Sequence, residues 1–407
     1  MEQVDILIRN AEEVVTLQGP SSPRCNQEMR DLAVKTHCSI AIKDSRIVDV
    51  GQNLHYQSDI KIDASGKTVM PGFVDPHTHL VFGGSREFEL NKKLQGLSYM
   101  EILKQGGGIL YTVNRTRDAS NDELKNQATN RLNTMLAYGT TTCEAKTGYG
   151  LDTDTEIRML KIQNELDKEH QMDITSTFLG AHAIPPGTNA DEYTEIVIDD
   201  MLPKTKNLAS FCDVFCEKDV FTPEQSERIL ESAKSYGLKP KIHAEEIVNT
   251  GGASLAAKVG AISADHLLRI SSQGINDMAK AGVIGVLLPG TPFSLMMDEY
   301  APAQKIIQGN VPVALATDLN PNCWTENMQF MIQLACLKMK MTPAEAITAA
   351  TFNAACAIDQ QQNIGSIEKG KQADILILNI KNHQMLPYHF GINHVETVIK
   401  HGKILDV

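Results

Sequence analysis

The chain has 407 residues, enough for one large domain and a smaller one. Its formal net charge of -12 argues against a nucleic-acid partner, because no block rich in lysine and arginine reverses that charge locally. It has no window of about 18 uninterrupted apolar residues and no secretory signal pattern, so we expect a cytoplasmic protein that does not engage a membrane and whose partner is a small molecule.

The first part of the chain predicts short antiparallel strands and hairpins, in the segments VDILIRNAEEVVTL (4–17), CSIAIKDSRIVDVG (38–51) and KIDASGKTVM (61–70). The last part does the same in ADILILN (373–379) and HVETVIKHGKIL (394–405). Neither flank has enough strands for a stable sheet by itself. We therefore expect residues 1–69 and 361–407 to pack together as a small β-sandwich domain.

Between the flanks, residues 70–360 alternate strand-like runs with segments of helical periodicity. This α/β rhythm predicts parallel strands with helical crossovers, and eight such units close into a TIM-like (β/α)8 barrel. A doubly wound open sheet is the competitor, but the glycine-rich GxGxxG turn that would favour it is absent. The eight runs lie at 72–79, 140–146, 173–182, 211–217, 240–246, 261–266, 282–288 and 311–318.

Side chains that can bind a metal ion occur at the ends of several predicted strands, where a parallel barrel places its catalytic groups. Taken singly, each histidine could be a hydrogen-bonded core residue, and the aspartate could be a turn former. Together they form a set of imidazoles and a carboxylate that suits Zn²⁺ or Fe²⁺ and leaves one position for water. These residues are His77 and His79 on strand 1, His182 on strand 3, His243 on strand 5, His266 on strand 6 and Asp318 on strand 8.

This arrangement resembles the amidohydrolase superfamily, whose barrels carry His-x-His on strand 1, histidines on strands 5 and 6, and aspartate on strand 8. The stretches VMPGFVDPHTH (69–79) and GSIEKGKQADILIL (365–378) extend the resemblance over nearly the whole chain. It implies one divalent metal ion, zinc or iron, bound by His77, His79, His243 and Asp318. Lys218 follows strand 4, where related enzymes use a bridging lysine, so a second metal stays open, although a solvated lysine is favoured.

Four further stretches are similar to the imidazolonepropionase family, which opens a five-membered cyclic amide during histidine degradation. They are HTHLVFGGSRE (77–87), KTGYGL (146–151), FLGAHAIP (178–185) and HAEEI (243–247). The resemblance implies metal-dependent hydrolysis of 4-imidazolone-5-propanoate to N-formimidoyl-L-glutamate. It also places Arg86, Tyr149, His182 and Glu246 on substrate-contacting positions.

The chemistry of these four side chains fits that ligand. The guanidinium of Arg86 matches the propanoate carboxylate, although surface solvation is the alternative. Tyr149 can donate to the same end of the ligand or simply pack its loop. His182 could polarise the scissile carbonyl group, and Glu246 could accept a hydrogen bond from a ring N–H.

The loop after strand 8 departs from the family pattern Asp-x-Asn-Pro-Gly-Ser. Asn320 is retained, but Asn322 and Cys323 replace the glycine and serine, so the substrate contacts expected of these three residues are uncertain. The general acid and base are predicted to come from Asp318, Glu246 and His266, in an order that the sequence leaves open, and His182 is predicted to stabilise the oxyanion.

Two other functions stay open at this point. A deaminase of a cyclic amidine or a nucleobase would share the metal ligands but would not need Arg86 and Tyr149 for a carboxylate. A non-catalytic barrel acting as a binding scaffold is the more remote alternative, since all the expected ligands are present. We also expect a homodimer, which is the commonest oligomer.

Overall fold

The computed structural model describes residues 2–97, 101–102 and 105–406, and within them the strands form two sheets of eight strands each. The chain begins with β1 (Gln3–Val15), β2 (Val34–Lys43), β3 (Arg46–Gly51), β4 (Gln57–Asp63) and β5 (Thr68–Pro71). It continues with β6 (Phe73–Asp75), β7 (Thr140–Lys146), β8 (Asp173–Ala181), β9 (Phe211–Cys216), β10 (Lys239–Ala244), β11 (Ser263–His266), β12 (Ile284–Leu287) and β13 (Val313–Leu315). It ends with β14 (Ile375–Leu378), β15 (Val395–Lys400) and β16 (Lys403–Leu405).

Strands β6 to β13 form a parallel sheet in which spatial order follows chain order. The sheet closes beyond the ends of its first and last strands, where Thr78 forms a parallel bridge with Leu319. There the His79 N–H donates to the Leu319 carbonyl oxygen at 2.8 Å, and the Asp318 N–H donates to the His77 carbonyl oxygen at 3.1 Å. The prediction of a (β/α)8 barrel is confirmed.

The barrel strands are shorter at the mouth than the sequence predicts. Strand β6 ends at Asp75 and β13 ends at Leu315, so His77, His79 and Asp318 follow strands rather than ending them. Their backbone is ordered instead by the hydrogen bonds of the closure, and the Thr317 N–H donates to the Asp75 carboxylate at 3.1 Å. The histidines are thus held by pairing between the first and last strands.

Helices surround the barrel, and several begin with the side-chain caps that their sequences provide. The hydroxyl groups of Ser120, Thr222 and Thr342 each accept from a backbone N–H in the first turn. The helices are Phe88–Leu94, Ile109–Asp118, Asn121–Ala137, Thr153–Glu169, Ala190–Ile196, Pro223–Ser235, Gly252–Val259, Ser272–Ala281, Gly290–Ser294, Ala303–Gln308, Met328–Met339, Pro343–Ala350, Phe352–Ala357 and Met385–Tyr388. Short 3-10 turns at Asn26–Arg30 and Leu202–Lys204 and a π turn at Val197–Met201 add to them. No helix in the described ranges is both long and apolar enough to cross a membrane.

The second sheet draws strands from both ends of the chain, as predicted, but it is mixed and not purely antiparallel, because β1 runs parallel to β4 and β5. Strand β1 pairs with β2 and β4 and, near its end, with β5, which pairs in turn with β14. Side chains of β14 alternate, so Leu376 and Leu378 pack into the barrel core while Ile375 and Ile377 enter a second apolar cluster. The sheet therefore rests directly on the barrel, and the division of the chain at residues 69 and 360 stays a prediction.

Candidate active site

Three buried imidazoles meet at the mouth of the barrel. One ring nitrogen from each of His77, His79 and His243 lies within 4.8 Å of the others. The Oδ1 atom of Asp318 lies 3.6 Å from His77 Nε2 and 3.7 Å from His79 Nε2. The structure thus brings together all four residues predicted as metal ligands.

The far sides of two of these rings lie against buried carboxylates. His77 Nδ1 lies 2.6 Å from Asp265 Oδ2, and His243 Nδ1 lies 3.0 Å from Asp213 Oδ2. The Nε2 atoms of His77 and His243 have no hydrogen-bond partner among the described residues. A buried polar atom without a partner costs about 1–3 kcal/mol, so lone pairs that converge in this way fit a divalent cation bound by three nitrogens and one oxygen.

The pKa values of two of the three imidazoles suit metal binding, whereas those of His243 and Asp318 shift in the opposite sense. Burial lowers the pKa of His77 and of His79 well below the usual range, so both rings are neutral and keep a lone pair. Burial also disfavours the charged form of His243, but the Asp213 carboxylate outweighs it and raises the pKa of His243. Burial raises the pKa of Asp318, whose Oδ2 accepts from the Thr291 hydroxyl group at 2.5 Å.

Backbone strain marks the same region. Glu245, His266 and Asp318 have φ angles of 58°, 76° and 53°, in the left-handed region that residues other than glycine seldom adopt. Each of the three lies at or just beyond the end of a barrel strand. Such conformations persist where surrounding contacts fix them, and they cluster at functional sites.

His266 and Glu246 face each other beside the cluster, with His266 Nε2 and Glu246 Oε2 at 3.6 Å. Burial raises the pKa of Glu246 to about 7, and burial lowers the pKa of His266 to about 3. Glu245 turns away, because its carboxylate accepts from the Ala253 N–H at 3.3 Å. Of the two adjacent glutamates, Glu246 is the one directed toward the histidines.

His182 stacks on His79 with 4.8 Å between ring centroids, and Tyr149 packs edge-on against His182 at 5.3 Å. His182 Nδ1 lies 3.0 Å from the Gly148 carbonyl oxygen. Because a carbonyl oxygen only accepts, Nδ1 carries the proton, and Nε2 of the neutral ring is an acceptor. Burial lowers the pKa of His182 to about 3, so this ring suits a ligand N–H better than the scissile carbonyl that the sequence suggested.

Arg86 is buried and forms a two-pronged ion pair with Glu89. Its Nε donates to Glu89 Oε1 at 2.9 Å, and its Nη2 donates to Oε2 at 2.8 Å. Glu89 also accepts from the Gly108 N–H at 2.7 Å. The solvated alternative for Arg86 therefore does not describe this side chain, whose guanidinium plane is fixed.

The loop after β13 is organised by Asn320. Its amide group donates to the Asp318 carbonyl oxygen at 2.8 Å and accepts from the N–H groups of Asn322 and Cys323 at 2.7 and 3.0 Å. Asn322 Oδ1 accepts from Lys93, a residue that sequence reasoning missed, at 2.6 Å. The Cys323 thiol donates to the Thr317 carbonyl oxygen at 3.5 Å. The side chains of all three predicted residues are thus bonded within the protein.

Sequence reasoning also missed a set of buried charges inside the barrel. Strands buried on both faces seldom carry charged residues unless these are paired. The charged residues within the predicted strands TTTCEAK, FCDVFCE, PKIHAEE and AISADH could therefore have indicated buried ion pairs. The residues are Glu144, Lys146, Asp213, Lys241 and Asp265. Lys218, by contrast, is exposed, so a bridging role for it stays a prediction without support from its position.

Comparisons with known proteins show the family of the chain. An amidohydrolase family model matches residues 217–405, and a second one matches residues 61–99. The chain is 52% identical to an imidazolonepropionase of Alkaliphilus metalliredigens over 99% of this chain and 98% of that protein. It is 50% identical to an imidazolonepropionase of Geobacillus kaustophilus over 98% of this chain and 97% of that protein.

Solved structures show the same fold at low sequence identity. An adenosine deaminase of Xanthomonas campestris with bound zinc has a TM-score of 0.76 and 19% identity, covering 99% of this chain and 93% of that one. The atrazine chlorohydrolase of Arthrobacter aurescens, complexed with zinc and atraton, has a TM-score of 0.76 and 17% identity, covering 98% of this chain and 95% of that one. With half of its residues shared over full length with the two bacterial relatives, the chain belongs to the imidazolonepropionase family of amidohydrolases.

Proposed function

We propose that this chain is a metal-dependent hydrolase that converts 4-imidazolone-5-propanoate to N-formimidoyl-L-glutamate in histidine degradation. The observation that carries this proposal is the full-length similarity to enzymes named imidazolonepropionase. The buried cluster of imidazoles at the barrel mouth supports it, because hydrolysis of a cyclic amide needs an activated water.

A divalent metal ion is the cofactor, and we propose that His77, His79, His243 and Asp318 bind it. Zinc and iron both suit three imidazoles and one carboxylate, so the donor set supports either metal. When bound, the ion supplies a Lewis acid that makes water nucleophilic near neutral pH. Asp265 and Asp213 hold the rings of His77 and His243 in the tautomer that leaves Nε2 for the metal.

Glu246 is our candidate for the residue that moves the proton. Its pKa of about 7 lets it take a proton from the attacking water and return it to the ring nitrogen when the C–N bond breaks. His266 lies 3.6 Å from it and orients its carboxylate. Asp318 stays a second candidate for the base, because its Oδ1 is directed at the same cluster.

The remaining predicted residues bind and orient the substrate. His182 would accept a hydrogen bond from a ring N–H through Nε2, and Tyr149 packs beside it. The fixed guanidinium of Arg86 would bind the propanoate group. Asn320, Asn322 and Cys323 would shape the loop beside the substrate, since their side chains and backbone N–H groups already bond to protein groups.

The test is an assay of zinc-loaded and iron-loaded protein with 4-imidazolone-5-propanoate. We expect imidazolone absorbance to fall as formiminoglutamate appears in equal amount, without release of ammonia. Release of ammonia from a cyclic amidine, with the imidazolone untouched, would favour the deaminase instead. A cytoplasmic location and a homodimer are further parts of this proposal, which cell fractionation and light scattering would check.

A further inference from the structure

The interior of the barrel contains an ammonium group that the proposed reaction does not use. Lys146 is the last residue of β7, and its side chain is fully buried. Its Nζ lies 2.7 Å from Asp213 Oδ2, 2.9 Å from Glu144 Oε1 and 3.4 Å from Asp265 Oδ2. One buried cation thus contacts carboxylates from three different positions of the barrel.

Two of these carboxylates also contact histidines at the mouth through the same oxygen. Asp213 Oδ2 lies 3.0 Å from His243 Nδ1, and Asp265 Oδ2 lies 2.6 Å from His77 Nδ1. Each oxygen therefore lies between the ammonium group of Lys146 and one imidazole. Two carboxylate-histidine pairs, from residues far apart in the chain, are joined through a single nitrogen atom.

The other contacts of the two aspartates fix them further. Asp213 Oδ1 accepts from the Val214 N–H at 2.7 Å, and Asp265 Oδ1 accepts from the Ser263 hydroxyl group at 2.7 Å. Burial disfavours a charged lysine, but the surrounding carboxylates outweigh it and raise the pKa of Lys146. The lysine is therefore charged, and it offsets the two aspartates in a region without water contact.

We propose that Lys146 is a positioning residue of the metal site, which holds Asp213 and Asp265 against Nδ1 of His243 and His77 so that both rings leave Nε2 for the metal. The inference rests on the proposed metal site. Without the ammonium group, two buried carboxylates would lose their shared partner, and both histidines would lose the fixed acceptor that orients them.

A second buried lysine provides a matched control. Lys241 is also fully buried, but its Nζ contacts Glu144 at 2.5 Å and the Pro76 carbonyl oxygen at 3.3 Å. Among the described residues it bonds to neither of the aspartates that face a histidine. Replacing this lysine also removes a lysine side chain from the barrel interior. Its effect on zinc affinity therefore measures the cost of that loss without the contacts to the two aspartates.

The experiment compares zinc affinity, by competition with a chromophoric chelator, for the full-length natural chain, Lys146→Met and Lys241→Met. We expect Lys146→Met to weaken zinc binding about 10- to 100-fold, the usual effect of losing an outer-shell partner. Lys241→Met should stay within about twofold of the natural chain. In an Asp213→Asn/Asp265→Asn background, adding Lys146→Met should change affinity by no more than about twofold, because the groups through which it acts are gone.

Each outcome decides between the alternatives. Equal zinc affinity for Lys146→Met and Lys241→Met, or an undiminished loss in the double-asparagine background, would overturn the inference while the proposed function stands. A natural chain that neither binds zinc nor hydrolyses the substrate would refute the proposed function instead. If Lys146→Met does not fold, the zinc affinities of Asp213→Asn, Asp265→Asn and the double variant are compared instead. Losses of the two single variants that multiply in full in the double variant would count against a shared ammonium group.

Discussion

The two ends of the barrel use polar groups in different ways. At the mouth, Nε2 of His77 and of His243 converge without a hydrogen-bond partner among the residues that the structure describes. At the base, where β8 begins, Asp173 bonds to Lys400 at 2.6 Å and to His401 at 2.8 Å. Lys400 also forms an ion pair with Asp374 at 2.7 Å.

Backbone conformation does not distinguish the two ends, because His266 and Asp318 at the mouth and His401 at the base all have left-handed φ angles. The ion pairs of the base join the two sheets. The mouth holds groups that only a ligand can satisfy, which is how a rigid scaffold separates stability from function.

The largest effect should follow from removing a predicted metal ligand. His243→Ala should lose most of the bound zinc or iron, and kcat/KM should fall about 10⁴-fold or more, because activation of water depends on the metal. Elemental analysis and the hydrolysis assay measure the two effects. His394→Ala is the control, since this buried histidine bonds to the His389 carbonyl oxygen outside the mouth. Full metal content in His243→Ala would remove this histidine from the ligand set.

Glu246→Gln should lower kcat about 10²- to 10⁴-fold, the range for a general acid or base. Burial raises the pKa of Glu246 to about 7, and a base must be ionised, so activity of the natural chain should fall as the pH drops below that value. The activity of the variant should not show this decline at low pH. Glu245→Gln is the matched control, because burial raises its pKa to about 7 as well but it faces Ala253. If only Glu245→Gln removed the decline at low pH, Glu245 and not Glu246 would be the residue that moves the proton.

Arg86→Ala should lower kcat/KM about 30- to 1,000-fold, or about 2–4 kcal/mol, mainly through KM, because the substrate carboxylate does not change during the reaction. On an imidazolone that lacks the propanoate tail, variant and natural chain should differ little. Arg158→Ala, which removes an arginine bonded to the Thr116 carbonyl oxygen, is the control. An equal loss on both substrates would show that Arg86 acts through its pairing with Glu89 rather than by binding the tail.

Much of this architecture could be predicted from the sequence because it repeats local rules. The run at 140–146 is an observed strand with the same bounds, and each of the other barrel strands begins within two residues of its predicted start. The gathering of His77, His243 and Asp318 follows from the parallel topology, which brings strand ends to one rim. These features require only periodicity and the direction of the chain.

The rest depends on distances that the sequence does not encode locally. His77 bonds to a carboxylate 188 residues away, and Lys146 to one 67 residues away, so only the closed barrel shows which charges meet. By contrast, the pair of Arg86 with Glu89 has the spacing of one helical turn and could have been recognised.

The smallest effect should come from the base of the barrel. Partial burial opposes ionisation of Asp173, but His401 and Lys400 outweigh it and lower the pKa of Asp173 well below its usual value of 3.8. A lowered pKa stabilises the fold above about pH 4, and this contribution disappears as the pH falls through the folded-state value. Because the side chain is 38% exposed, we expect Asp173→Asn to cost about 0.5–1 kcal/mol at pH 7.

Thermal unfolding at pH 7 and at pH 3 tests this expectation, with a difference in Tm of about 1–2 °C at the higher pH that shrinks at the lower one. Metal content and kcat/KM should equal those of the natural chain. The bonds of Asp173 join the start of β8 to the terminal sheet, at the end of the barrel opposite the imidazoles. Lys204→Ala, which removes an exposed pair with Asp200 within one segment, should shift Tm less. A variant of Asp173 that kept its Tm but lost metal would show that the base and the mouth are coupled, and the separation of stability from function along the barrel axis would then be wrong.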